Sequence, residues 1–151
     1  MGKKQLVSIQ SGIFPKGTYQ LPDLLAILKQ DPKLKECGAI MTFTGIVRGV
    51  AEKNGGDTIV KNVHVEANVV LANHALQQIC SDLEQGDVKR VIICHLEGEF
   101  ATGEDLVYVI IAGGHRQETF AALQQAIERY KSTAAIWKKE ILADGTEQWV
   151  H

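Results

Sequence analysis

Residues 88–131 read VKRVIICHLEGEFATGEDLVYVIIAGGHRQETFAALQQAIERYK, and this stretch decides the fold. Val88 to His95 and Leu106 to Ala112 are strand-sized runs dominated by Val, Ile and Leu. Glu97 to Asp105 between them is a glycine-punctuated connection. Gly113-Gly114 breaks the second strand, and His115 to Lys131 has the periodicity of a long helix. Upstream, Asn68 to Leu83 repeats Leu71, Ala75, Leu76, Ile79 and Leu83 at helical spacing, and Gly86-Asp87 ends that helix. Gly38 to Val47 reads as a buried strand. Ile59 to Val65 reads as a second, with Ile59, Lys61, Val63 and Val65 on one side. Gly49 to Asp57 between them has the composition of a loop, with Lys53 to Asp57 as its tip. Ile136 to Val150 reads as a strand, a turn at Asp144-Gly145, and a short returning strand. Pro15, Pro22 and Pro32 punctuate an N-terminal lobe made of a strand, Leu6 to Phe14, and a short helix, Leu21 to Lys29, closed at Asp31-Pro32. Two long helices among mostly non-alternating strands predict an α+β fold in one domain over residues 1–151, with residues 1–37 as the lobe.

Composition narrows the function classes. With 151 residues, 45% apolar and 23% charged, the chain is neither disordered, collagen-like nor a coiled-coil rod. No apolar run approaches the roughly 20 residues of a membrane span. Met1 to Gln5 has no apolar signal core behind it, so the expectation is a soluble cytoplasmic protein. A net charge of −2 argues against bulk binding of nucleic acid. The charge is uneven. Residues 1–75 carry nine Lys/Arg and six Asp/Glu, whereas residues 76–151 carry seven and twelve. Inside that acidic half, Arg116, Arg129, Lys131, Lys138 and Lys139 face only Glu118 and Glu128, a cationic island suited to a local anion site. Cys37, Cys80 and Cys94 lack zinc-ligand spacing; Cys80 and Cys94 fall in core patterns, and no metal is expected.

The island holds the candidate chemistry. Gly113-Gly114 lets the backbone leave the strand sharply, and the first turn of the following helix offers N–H groups to an anion, with His115 and Arg116 beside them. On a helical wheel, Phe120, Leu123, Ile127 and Tyr130 form an apolar face, and Arg116 and Lys131 project on that same side. Two readings of Lys131 stay open: a side chain that snorkels past the helix end, or an amine held at a partly dry pocket where it can act. Lys138 and Lys139, adjacent in a strand, must point to opposite faces, the outer one a candidate partner for Glu140. Trp137 is expected in the core or a pocket wall. Arg116 and Lys131 lie fifteen residues apart, about 22 Å along a straight helix. One small-ligand pocket can hardly use both from a single chain. The expectation is a homodimer in which Lys131 and Lys138 of one subunit work with His115 and Arg116 of its mate.

Four blocks in order carry a resemblance over about residues 38–150: Phe43-Thr44-Gly45-Ile46-Val47-Arg48, Gly114-His115-Arg116, Tyr130-Lys131, and Ile136-Trp137-Lys138-Lys139-Glu140 with the closing Trp149-Val150. In combination they resemble the MoaE family, the large, catalytic subunits of molybdopterin synthase. The resemblance implies an α/β-hammerhead-like fold with a mixed or antiparallel sheet, two main helices and a short N-terminal helix. It implies a homodimer within a heterotetramer, each large subunit binding a small ubiquitin-like sulfur carrier (MoaD-like) through the carrier's thiocarboxylated tail. The implied reaction is sulfur transfer to cyclic pyranopterin monophosphate, which forms the dithiolene of molybdopterin and needs no protein-bound cofactor. Position by position, Lys131 and Lys138 match the family's active-site lysines, and Arg48, His115 and Arg116 its substrate-binding cations. The chain departs from the family at Gly113-Gly114, where Pro often precedes His-Arg, at Ala135, where Pro is usual, and at Asn68, where an aromatic is common. It also stops at His151, short of any longer C-terminal segment covering the pocket. The departures leave the cations in place. A docking protein for a ubiquitin-like partner and a phosphometabolite-binding domain are the competing readings.

Overall fold

The computed structural model describes residues 9–51, 58–133 and 135–150. The start of the expected first strand and the Lys53 to Asp57 loop tip lie outside them. One strand organises the rest. β4 (Val88–Ala101) pairs antiparallel with β5 (Asp105–Gly113) along Val88 to His95, and antiparallel with β3 (Val60–Ala67) along Gly98 to Ala101. β1 (Gly12–Pro15) lies parallel to Cys94–Glu97. β2 (Ala39–Ile46) flanks β5, while β6 (Ile136–Leu142) and β7 (Glu147–Val150) continue beyond β3. The order is β2-β5-β4-β3-β6-β7 in a mixed sheet. With the helices α1 (Leu21–Leu28), α2 (Val69–Leu83) and α3 (Arg116–Lys131), this is the expected α+β architecture.

Several expectations need correction. The connection from Glu97 to Asp105 is mostly strand, because β4 continues to Ala101 and only a tight turn follows. Gly98 permits this. Its φ of +133° is a conformation L side chains rarely adopt, so the chain can bend there and pass from β5 to β3 without breaking. β2 is not buried but half-exposed along most of its length, because only β5 covers one of its edges. β3 does not alternate strictly. A register shift between Val60 and Asn62 lets Val60, Val63 and Val65 all face the core, at 2% exposure or less, while Lys61 stays out. A 3-10 turn, Pro32–Glu36, follows α1; Asp31 caps it by accepting from the Lys33 N–H.

The helices start where the caps place them. The Asp23 carboxylate accepts from the Gln20 N–H ahead of α1, and Asn68 Oδ1 accepts from the Leu71 N–H at 3.2 Å ahead of α2. α2 buries Ala72, Leu76, Ile79 and Cys80, whereas Leu71, expected on its apolar face, is exposed. α2 and α3 pack side by side and are joined at the surface by Arg129 and Asp82, 2.8 Å apart. Burial raises the Cys80 thiol to about 11 and the Cys94 thiol to about 12, in line with core roles. Among the described residues no helix is long and apolar enough to cross a membrane. Gly98→Ala should cost about 1–3 kcal/mol, since an added Cβ finds room beside Lys16 but not a relaxed φ. Urea denaturation of the two proteins checks this, and an unchanged midpoint would contradict the role given to Gly98.

Candidate functional site

The five cations come from four places on the fold. Arg48 follows β2 and is exposed. Its neighbour Val47 is clamped to the β4–β5 turn, donating to the Glu104 carbonyl and accepting from the Gly103 N–H. His115 and Arg116 stand at the start of α3, Lys131 at its end, and Lys138 on β6. The structure therefore separates His115 and Arg116 from Lys131 by the length of a 16-residue helix.

The face of α3 differs from the wheel. The buried positions are Thr119, Ala122, Ala126 and Tyr130, with Leu123 and Ile127 half-buried and Phe120 62% exposed. The stripe is turned by about 75° from the expected one. Arg116 and Lys131 consequently lie exposed instead of facing inward. The physical reason is side-chain size. Ala122 and Ala126 let the helix approach the sheet closely, and Thr119 can be buried because its hydroxyl donates to the His115 carbonyl at 2.6 Å. The reading of Lys131 as snorkelling past the helix end fits this placement.

The glycines before α3 serve the same close approach. A Cβ on Gly113 would strike the Thr119 hydroxyl, and one on Gly114 the Asp87 carboxylate. Asp87, which reads in the sequence only as a helix terminator, accepts from the His115 backbone N–H at 2.7 Å and lies 3.1 Å from His115 Nδ1. The His115 backbone N–H above all holds the Asp87 carboxyl below its usual range. Asp87 thus fills part of the expected anion-binding turn and fixes the His115 ring, whose side chain is 82% exposed. Asp87, His115 and Glu118 also bring ligand-type atoms within 4.8 Å of one another. The positive helix end and Arg116 beside them oppose a cation there.

At the other end of α3, β6 sorts its lysines. Lys138 pairs across from buried Val65 and shares a face with Glu140, which is 5% exposed, and Leu142. Lys139 faces outward, 3.2 Å from Glu147 and over the Trp149 ring, so its partner is Glu147 and not Glu140. Glu140 accepts from Gln148 instead. Trp137 is 42% exposed and outside the core, because it too lies on the outward face. Half-buried Lys138 has no carboxylate partner among the described residues. Its charge is felt at His95, a residue visible in the sequence only as the polar end of an apolar strand. His95 is 8% exposed, and its ring meets Tyr130 edge-on with centroids 5.9 Å apart. Burial lowers the His95 ring to about 4, against a backbone hydrogen bond to Leu96, and the charge of Lys138 lowers it further. Tyr130 immediately precedes Lys131, so the ring contact ties His95 to the end of α3. A separate cavity of about 360 Å³, lined among others by Ser11, Leu28, Asp31, Cys80, Glu84 and Arg90, takes in none of the five cations.

Comparison with known proteins shows the family and the fold. The family model described as MoaE protein matches residues 18–133, reaching further into the N-terminal lobe than the sequence blocks do. A probable molybdopterin synthase of Haloferax volcanii is 36% identical over 132 residues, which are 87% of this chain and 49% of that protein. The chain thus spans about half of that relative's length. The molybdopterin synthase catalytic subunit of Bacillus subtilis is 38% identical over 125 residues, 82% of this chain and 76% of the other. The crystal structure of molybdopterin synthase from Staphylococcus aureus superposes with a TM-score of 0.80 at 25% identity, covering 96% of this chain and 99% of that one. A complex of subunits 1 and 2 of the molybdopterin-converting factor from Helicobacter pylori shares the fold, with a TM-score of 0.73 at 20% identity, over 94% of this chain and 90% of that one.

The buried His95 has a thermodynamic consequence. Its folded-state value of about 4 lies below the 6.5 of a free imidazole, so between those values the unfolded chain binds more protons. Stability is then complete above about pH 6.5 and falls as pH drops towards 4, by on the order of 2–3 kcal/mol. Urea midpoints measured across this window should decline for the natural chain and stay flatter for His95→Gln. Parallel curves for the two proteins would contradict the assignment.

Proposed function

The chain belongs to the MoaE family, and from that premise we propose that it is the large, catalytic subunit of a molybdopterin synthase, a sulfurtransferase of molybdenum cofactor biosynthesis working in the cytoplasm. Its partner is a small ubiquitin-like carrier whose C-terminal thiocarboxylate delivers sulfur, and its substrate is cyclic pyranopterin monophosphate. Two deliveries give the dithiolene. The observation that carries this reading is the half-buried Lys138 on β6, without a carboxylate partner among the described residues, together with the exposed Lys131 at the end of α3. Nearby Arg129 and Lys139 are both ion-paired. A half-buried cation left without an ion-pair partner among the described residues suits an anion brought in from outside.

Chemistry assigns the roles by need. A thiocarboxylate requires its carbonyl to be polarised, and opening a cyclic phosphate requires a proton donor; Lys131 and Lys138 supply these. Arg48, His115 and Arg116 hold the phosphate and the pterin. The separation along α3 supports a site in which His115 and Arg116 come from the dimer mate. Phe120, one turn from Arg116 and 62% exposed, gives that stripe of α3 an apolar surface for a mate to cover. Two copies with two carriers make the heterotetramer.

Mixing the purified chain with thiocarboxylated carrier and cyclic pterin should yield dithiolene product. Lys131→Ala and Lys138→Ala should each lower turnover by about a hundredfold or more while leaving carrier affinity within a few-fold. Carrier binding without any product from the natural chain would favour a docking protein instead. Phosphorylated pterin binding with no carrier binding would favour a metabolite-binding domain. Co-expressed Lys131→Ala and Arg116→Ala chains should recover part of the activity in mixed dimers, because each mixed dimer keeps one intact site. No recovery would remove the shared site.

A further inference from the structure

We propose that the cavity between α1, α2 and β4 is a binding site for a small primary amine with an apolar body, separate from the five cations of the candidate site. At about 360 Å³ it has the size of a small-molecule pocket. Much of its wall is apolar, with Ile27 and Leu28 from the end of α1, Cys80 from α2, and Val91 and Ile92 from β4. Several of its polar groups belong to one stripe of α2 and its cap. Gln77, Ser81 and Glu84 stand at i, i+4 and i+7, so the helix puts them on one side. Hydrogen bonding leaves open acceptors along that stripe. Gln77 Nε2 donates to the Ser11 carbonyl at 3.0 Å, and Glu84 Oε2 accepts from the Val91 N–H at 3.1 Å. Oε1 of each residue has no hydrogen-bond partner among the described residues.

Charge selects the head group of the ligand. The charged residues of the wall are Asp31, Glu84 and Arg90, two carboxylates against one guanidinium. Arg90 is already engaged: its Nε donates to Asp31, and its Nη1 lies 3.8 Å from Glu84. The other Asp31 oxygen accepts from the Lys33 N–H at 2.9 Å. The surplus negative charge therefore rests on Glu84, at the C-terminal end of α2. The helix dipole is negative there too, and the last turn carries no basic residue. Arg129 meets Asp82 in that turn, but Asp82 does not line the cavity. An incoming carboxylate or phosphate would face two carboxylates to reach one occupied guanidinium. An ammonium instead brings three N–H donors to the open acceptors of Glu84 and Gln77 and to the Ser81 hydroxyl, and supplies the missing positive charge. Its apolar body then covers Leu28, Cys80 and Val91.

Calorimetry on the full chain at pH 7 tests this with three probes that share a phenyl ring and differ in head group. 2-Phenylethylamine should bind saturably, with a Kd in the high micromolar to low millimolar range expected of so small a ligand. It should bind about tenfold or more tighter than 2-phenylethanol and 3-phenylpropanoate. Intermolecular nuclear Overhauser contacts from its ring protons should fall on the methyl groups of Leu28 and Val91. Glu84→Gln keeps an acceptor for the Val91 N–H and removes the charge. In that variant the amine should bind about tenfold more weakly and the alcohol within about twofold of the natural chain. No saturable binding of the amine, equal or tighter binding of the alcohol or the propanoate, ring contacts to other methyl groups instead, or an unchanged amine affinity in Glu84→Gln would each overturn the proposal. If Glu84→Gln does not fold, the head-group comparison and the ring contacts on the natural chain decide alone. None of these readouts involves dithiolene formation, so the proposal stands or falls apart from the sulfur-transfer reading.

Discussion

β4 is the constraint on which the molecule depends. A 14-residue strand serves three partners: β5 along one half, β3 along the other, and β1 at the bend. Each β4 hydrogen bond therefore ties a different part of the chain to the same backbone. If β4 stopped at His95, as its apolar run alone implies, β3, β6 and β7 would have no sheet to join. Lys138 would then have no fixed relation to α3. The bend at Gly98 sits beside the pairing of Val65 with Lys138, so the conformation of one glycine reaches the lysine through a single cross-strand neighbour, Val65.

Around that spine the candidate site is divided by a rigid spacer. α3 holds His115 and Arg116 at one end and Lys131 at the other, and its close seating against the sheet through Ala122 and Ala126 fixes that distance. A single copy offers two half-sites in place of one pocket. In the proposed function, exposed Lys131 and half-buried Lys138 belong to a site completed by other chains: a carrier tail that brings sulfur, and a mate that brings His115 and Arg116.

The strands and helices were legible because their signals are local. Val, Ile and Leu runs marked β4 and β5, and Asn68 and the Asp144-Gly145 turn marked their boundaries with short-range hydrogen bonds or a tight turn. Lys131 and Lys138 were legible through the family's blocks and the spacing between them. What the sequence hid was set by packing between distant segments. Phe120 outweighs Ala122 and Ala126 on a hydrophobic wheel, yet the small residues face the sheet because they allow the closer approach. Asp87 lies 28 residues from the His115 it holds, and nothing near it in the sequence announces that contact. His95 looks like the polar end of a strand until Tyr130 is seen against its ring. The β3 bulge likewise depends on β6, which follows it by more than seventy residues.

The buried thiols have a meaning for chemoselectivity. An enzyme that handles a carrier's thiocarboxylate risks losing it to its own cysteines by acyl exchange, in which a thiolate takes the carrier's acyl group as a thioester and sulfide leaves. Cys80 and Cys94, raised to about 11 and 12, leave at most about one thiolate in ten thousand at neutral pH. Burial raises Cys37 as well. In the proposed function, the two buried thiols of Cys80 and Cys94 stay protonated and out of the exchange.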